Sequence, residues 1–335
     1  MNQADLFSKY KSSYTTALFD FSTHSILFSS SFYLLWLFRN SWASVFTVPL
    51  LGLMNIKTFM IFHDCGHNSY SPSNHLNYAI GLLLSGFVSH SFFWNYNHNT
   101  HHKINGNIEN EQQYPFNEVI FHTKTQYDAF SSLQKRMYKI IKHPLFFFTI
   151  PIYFNIFIIN NIRIIPFLLY HRYDCEIETK YLVLEQCIST GAFLFLLYIC
   201  SVYGIFFHFI SAFCIGASTT IMIVHNEHTY NPSYVVGNKE WSHKDSGLKG
   251  SSHILIPNAL KYFFHGIEYH HIHHMNAKIP GYHLRNYHEE VIAKSDVVDS
   301  VVKLSMSDCY QNLWLVLYDE EKKKYITFKE TEKID

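Results

Sequence analysis

Histidine is the residue whose distribution stands out in this chain. Residues 265–274 read HGIEYHHIHH and hold five of the 23 histidines found in 335 residues. Neutral imidazole is a preferred metal ligand, and neither an apolar core nor a solvated surface has another use for such a density. Within the run, His270, His273 and His274 fall at i, i+3 and i+4, the spacing that gathers side chains on one face of a helix. The same spacing recurs in HNTHH at His98, His101 and His102, and HDCGH supplies an i, i+4 pair at His63 and His67. One HxxxH pair is a weak signal, but two HxxHH boxes and one HxxxH in a single chain are a strong one. Eight imidazoles exceed what one tetrahedral zinc accepts, which points to two metal ions. A nitrogen-rich site fed by an apolar interior suits oxygen chemistry on an apolar chain, and that chemistry needs a redox metal, iron in preference to zinc.

A ninth ligand is expected where the last apolar segment ends, in VHNEHTYN. His225 stands nearer the end of the segment and is the preferred candidate, with His228 as the alternative. Ligating imidazoles ordinarily hydrogen-bond through their other ring nitrogen. Asp64, Asn99, Asn226, His228, Glu268 and His271 are the residues placed in sequence to serve them.

Composition says where such a site would sit. Charged residues make up 16% of the chain and hydrophobic ones 48%, whereas a typical soluble domain is roughly 25% charged. A membrane protein is therefore expected. With 26 basic and 26 acidic residues the net charge is zero, and nothing in that balance suits a nucleic-acid partner. Six cysteines, at 65, 175, 187, 200, 214 and 309, show no CxxC spacing, which argues against a disulfide framework or a zinc ribbon. The first apolar stretch follows two acids and two lysines and lacks a small-residue cleavage site, so it reads as an anchor rather than a cleaved leader.

Apolar runs at 26–38 and 42–62 form one candidate hairpin, and those at 182–200 and 205–224 form a second. About 20 apolar residues cross a hydrocarbon core of about 30 Å. The run at 76–93 separates the first two boxes, so it must lie in the interface or re-enter if both boxes serve one site. The run at 145–159, with Pro151 and Asn155, is expected to lie flat. Four crossings result, with both termini and all boxes on one side. Six basic residues between 68 and 143 and 13 after His225 put that side in the cytosol by the positive-inside rule.

The expected fold class is thus an all-α integral membrane protein: four transmembrane helices in two hairpins, interfacial helices, and a cytosolic helical cap carrying the metal site. One domain covers 1–335. It comprises an N-terminal arm (1–24), a first membrane hairpin delivering the first box (25–62), and a cytosolic and interfacial segment with the second box (63–143). An interfacial stretch (144–180), a second hairpin (181–224) and a cap with the third box (225–335) follow.

HDCGH, HNTHH and HHIHH, in this order and spacing, resemble the three histidine boxes of the membrane-bound fatty acid desaturases, and IPGY at 279–282 follows the third box as it does there. The resemblance covers roughly residues 55 to 290. It is closest to the acyl-lipid type with omega-6 or delta-12 specificity, through GSSHILIPNALKYFFHGIEYHHIHHMNAKIPGY at 250–282. It implies a di-iron centre held by the box histidines, O2 as co-substrate, and a membrane lipid acyl chain as substrate. Electrons would come from an external donor, cytochrome b5 or a ferredoxin with its reductase. The membrane would be the endoplasmic reticulum in a eukaryote or the cytoplasmic membrane in a bacterium. Two departures from the family pattern bear on the site. HNE stands where the family has HNFE or HQFE, and Glu268 stands where it has glycine.

Two other readings share these residues. A lipid or isoprenoid hydroxylase or ketolase would use the same scaffold, and product analysis separates it from a desaturase. A non-enzymatic metal-binding or metal-transport protein would place ionisable residues along its membrane segments. Here those segments hold little beyond His208, Glu185 and Lys57.

Overall fold

The computed structural model describes residues 9–92, 94–113, 121–149 and 179–331. Helix α1 (Tyr14–Phe38) begins where the Ser13 hydroxyl accepts the free N–H of Thr16 at 3.1 Å. This is a standard N-cap, and it turns the second half of the expected arm into helix. Helix α2 (Ser44–Gly66) runs back beside α1 and carries His63 in its last turn, with His67 as its C-cap. Helix α3 (Asn74–Val88) is 15 residues long, or about 22 Å at 1.5 Å per residue, too short to cross a membrane. Helix α4 (Trp94–Ile104) holds the second box. After the undescribed stretch come α5 (Thr179–Val202) and α6 (Phe206–His228), then the shorter α7 (His243–Lys249), α8 (His270–Met275) and α9 (Gly281–Glu290).

Among the described residues, three helices are long and apolar enough to span a bilayer: 44–66, 180–202 and 206–228. The longest helix, α1, falls short in apolarity because Asp20, His24 and a run of serines dilute it. Phe207, Phe46 and Phe195 are 79%, 66% and 63% exposed, large apolar side chains of the kind that face lipid in a spanning helix. Inside, Leu35 of α1, Leu51 of α2 and Phe209, Ala212 and Phe213 of α6 share one core. Helices α2 and α6 approach closely at two glycines. A Cβ on Gly52 would lie 2.8 Å from the Ala212 carbonyl, and one on Gly216 would lie 2.6 Å from the Gly52 carbonyl. Small residues at such a crossing let two backbones touch.

The cap is not wholly helical. Strand β1 (His122–Thr123) pairs in parallel with β4 (Leu317–Asp319), which pairs antiparallel with β5 (Lys324–Ile326). Strands β2 (His253–Ile254) and β3 (Lys303–Leu304) form a second parallel pair. Strands of two or three residues are too short to show an alternating pattern in sequence, which is why an all-helical cap was expected. The tail after Val301 is therefore stitched back onto the segments that follow the second box and precede the third. The expected flat stretch at 145–159 falls, from residue 150, outside the described residues, as does most of the 144–180 segment.

Candidate metal centre

Nine imidazoles converge where α2, α4, α6 and α8 meet. They belong to His63, His67, His98, His101, His102, His228, His270, His273 and His274, none more than 9% exposed. They form two sets. In group A, one ring nitrogen each from His63, His67, His98, His102 and His273 lies within 4.8 Å of all the others. In group B, His101, His228 and His274 meet the same condition. His270 joins them, its Nε2 lying 3.0 Å from His228 Nε2.

The helical spacing explains the partition. The i, i+4 pairs His63/His67 and His98/His102 face group A, and the i, i+4 pair His270/His274 faces group B. The remaining member of each HxxHH box, at i+3, points across to the other set: His101 to B and His273 to A. His102 of one group and His274 of the other stack at 4.1 Å between ring centroids, with 17° between planes.

The Nε2 atoms of His63 and His98 are 2.9 Å apart, those of His98 and His102 3.1 Å, and those of His102 and His273 3.0 Å. In group B, His101 and His228 are 3.1 Å apart. Two nitrogens held about 2.1 Å from one ion lie about 3.0 Å apart at a right angle and about 3.4 Å apart in a tetrahedron. The observed edges match the right angle, and five donors in group A exceed tetrahedral closure. Nε2 of His67 and both ring nitrogens of His274 have no hydrogen-bond partner despite full burial, a cost that coordination removes. Burial, reinforced by neighbouring imidazoles, holds His67, His98, His102, His270, His273 and His274 well below the ordinary imidazole value. They are neutral, the form that binds a metal. These donors fit a pair of metal ions.

Each group has one ligand backed by a carboxylate. Asp64 Oδ1 lies 3.2 Å from His63 Nδ1, and its Oδ2 accepts the Gly281 N–H at 2.7 Å. Glu227 Oε2 lies 3.4 Å from His270 Nδ1, without a well-aligned hydrogen bond. The His228 Nδ1 is 3.2 Å from the Gly250 carbonyl, and the Trp94 ring stacks on His98 at 4.5 Å.

The family model for fatty acid desaturases matches residues 40–300. The chain belongs to the fatty acid desaturase family. A fatty acid desaturase of Bacillus subtilis (strain 168) is 26% identical over 84% of this chain and 76% of its own length. The sn-1 oleoyl-lipid 12-desaturase of Picosynechococcus sp. is 24% identical over 85% of this chain and 79% of its own length. An endoplasmic-reticulum omega-3 fatty acid desaturase of Nicotiana tabacum is 28% identical over 70% and 61%. This desaturase is accordingly an oxidoreductase and, with its three apolar helices, a membrane protein.

Of the residues expected from the sequence of the desaturase, the eight box histidines come together, and His225 does not join them. Its Nε2 lies 2.9 Å from the Asn312 carbonyl, and His228, one helical turn on, occupies the position in group B. The face that α6 presents, rather than nearness to the end of the apolar segment, places His228 beside the boxes. Asn226 donates from Nδ2 to the Met222 carbonyl of its own helix rather than to a ligating ring. Asn99 hydrogen-bonds the His67 side chain. His271 turns away, its Nε2 3.3 Å from His288 Nδ1. Glu268 is 2% exposed with Oε2 unpartnered, and burial raises its carboxyl above the usual range. Its nearness to Glu227 raises the Glu227 carboxyl further. Glu227 was not singled out from sequence. The available signal was its position directly before His228.

Proposed function

We propose that this desaturase is an O2-dependent acyl-lipid desaturase whose groups A and B each hold one iron ion. The reading rests on one observation: nine buried histidines interlocked in two sets beside the ends of two apolar helices. The proposed ligands are His63, His67, His98, His102 and His273 for one ion and His101, His228, His270 and His274 for the other. The metal pair, when bound, supplies oxygen activation. One O2, two electrons and two protons, with two hydrogens from adjacent methylenes, give one cis double bond and two waters.

The chain's own residues do the rest. Neutral imidazoles place two ions close together without adding charge, and burial keeps bulk water from the reacting carbons. Asp64 fixes the ring of His63. The curated relatives include ferredoxin-dependent enzymes, among them an sn-1 acyl-lipid omega-3 desaturase of Synechocystis sp., which supports an external electron donor, a ferredoxin or cytochrome b5. We further read α1 as a fourth crossing paired with α2, and α5 and α6 as the second hairpin. Both termini and the metal groups then lie in the cytosol, within one domain over 1–335, in the endoplasmic reticulum or a bacterial cytoplasmic membrane.

Expression in a host lacking polyunsaturated lipids, followed by fatty-acid methyl ester analysis with double-bond mapping, tests the reading. A new double bond that disappears with His273→Ala is expected. A hydroxylated or ketone product, or an unchanged lipid profile from a metal-loaded enzyme, overturns it.

A further inference from the structure

Helices α1 and α2 bury a charged pair that packing does not require. Lys57 is 3% exposed, its Nζ 2.7 Å from Asp20 Oδ1 and 3.9 Å from the centre of the Tyr262 ring. Replacing such a pair by apolar residues of similar volume is often neutral or stabilising, so its presence is weak evidence for a role in stability alone. What Asp20 does with its other oxygen is more telling. Oδ2 accepts from the Tyr70 hydroxyl at 2.8 Å and faces His265 Nδ1 at 3.9 Å. On the far side of the same ring, His265 Nε2 lies 3.6 Å from Asp64 Oδ2. Asp64 in turn touches His63 of group A.

The local backbone is shaped for this contact. His265 sits at φ 54°, the left-handed region that a side-chain-bearing residue seldom adopts. A Cβ on Gly281 would lie 2.3 Å from the His265 carbonyl oxygen, 2.5 Å from His265 Cδ2 and 3.1 Å from Asp64 Oδ2. The glycine of IPGY is therefore what lets the His265 ring lie against Asp64 while its own N–H holds the same oxygen.

We propose that Lys57, Asp20 and His265 are positioning residues: a line from the first two helices that fixes the Asp64 carboxylate against His63 and so sets the properties of the ion in group A alone. Lys57 balances Asp20, which orients His265, and His265 with the Gly281 N–H leaves Asp64 one free direction, toward His63 Nδ1. Group B has no counterpart among the described residues, because the unpartnered oxygens of Glu227 are not held by any second residue. The inference rests on the reading of group A as an ion site.

The test is Mössbauer spectroscopy of the full-length protein loaded with ferrous iron-57, beside the rate of iron release to a chelator and the thermal unfolding of the metal-free protein. Wild type is expected to bind two ions and show two doublets. Asp20→Asn/Lys57→Met removes the line without leaving a lone buried charge, His265→Gln interrupts it, and Tyr70→Phe is the mildest version, removing one hydroxyl. Each is expected to retain two ions and the wild-type unfolding temperature, to shift one doublet, and to release that half of the iron about tenfold faster. Two unshifted doublets and wild-type release in all three overturn the proposal. So does a change in both doublets, or one that follows the unfolding temperature, since either marks a structural role. Failure of wild type to bind two ions overturns the reading of the metal centre itself.

Discussion

Groups A and B are built from the same residue type by the same helical spacing, yet they are finished differently. Group A draws five imidazoles, four of them from the first two boxes, and hangs from the end of α2. Group B draws four and hangs from the end of α6. The carboxylate behind group A is gripped by a backbone N–H and faced by a second histidine. That behind group B approaches its ring at 3.4 Å with both oxygens otherwise unpartnered. Group B thus has one donor fewer than group A and a less firmly held carboxylate behind it.

The harshest way to break this comparison is to remove the crossing histidines. His273→Ala takes a donor from A and His101→Ala one from B, so each is expected to abolish desaturation and to lower bound metal from two ions toward one, read by metal analysis of the purified protein. If either variant loses both ions, the groups are one unit rather than two. Next comes the ninth position. His228→Ala is expected to reduce double-bond formation at least 100-fold and cost the group B ion. His225→Ala keeps both ions and activity within a few-fold, losing only about 0.5–1.5 kcal/mol for one hydrogen bond, since the Asn312 carbonyl still accepts the Leu315 N–H. The reverse result would return His225 to the site.

The supporting carboxylates sharpen the contrast. Asp64→Asn is expected to weaken metal binding at A by 10- to 100-fold, the usual cost of losing such a partner. Glu227→Gln should do less at B, because its contact is poorly aligned; equal losses would erase the distinction. Acid tests both groups together. Burial holds His67, His98, His102, His270, His273 and His274 well below the ordinary imidazole value, whereas an unfolded histidine takes a proton below about pH 6.5. The unfolded chain therefore gains protons as pH falls, and metal-free protein loses stability below about pH 6.5, by up to about 1.4 kcal/mol per pH unit for each such histidine, with no change above it. Thermal unfolding across that range checks the sign. Smallest is Gly216→Ala, which crowds the contact between α2 and α6 and should cost about 1–3 kcal/mol while moving both groups equally.

All eight box histidines were legible because i, i+3, i+4 spacing needs no tertiary information. Even the partition into A and B is implicit in that spacing once each box is placed on a helix. His228 was not legible over His225: both lie on α6, and only the packing of α6 against α2 fixes which turn faces the boxes. Nor was Glu227, whose role exists only because α8 brings His270 to it. The apolar helices α5 and α6 were apparent from length alone, whereas α1 hides its start behind a polar cap at Ser13 and carries Asp20, which hydropathy counts against it. The short strands of the cap left no trace because two-residue ladders have no period.

The crossing of the two HxxHH boxes has a consequence for biosynthesis. As the chain leaves the ribosome, His63 and His67 emerge more than 200 residues before His273 and His274. Group A closes only with His273 and group B only with His274, so neither can be finished on a nascent chain that stops short of the third box. Six histidines of the set, His63, His67, His98, His101, His102 and His228, are in place before the third box is made. Donor sets drawn from all three boxes can therefore be completed only after translation has passed residue 274.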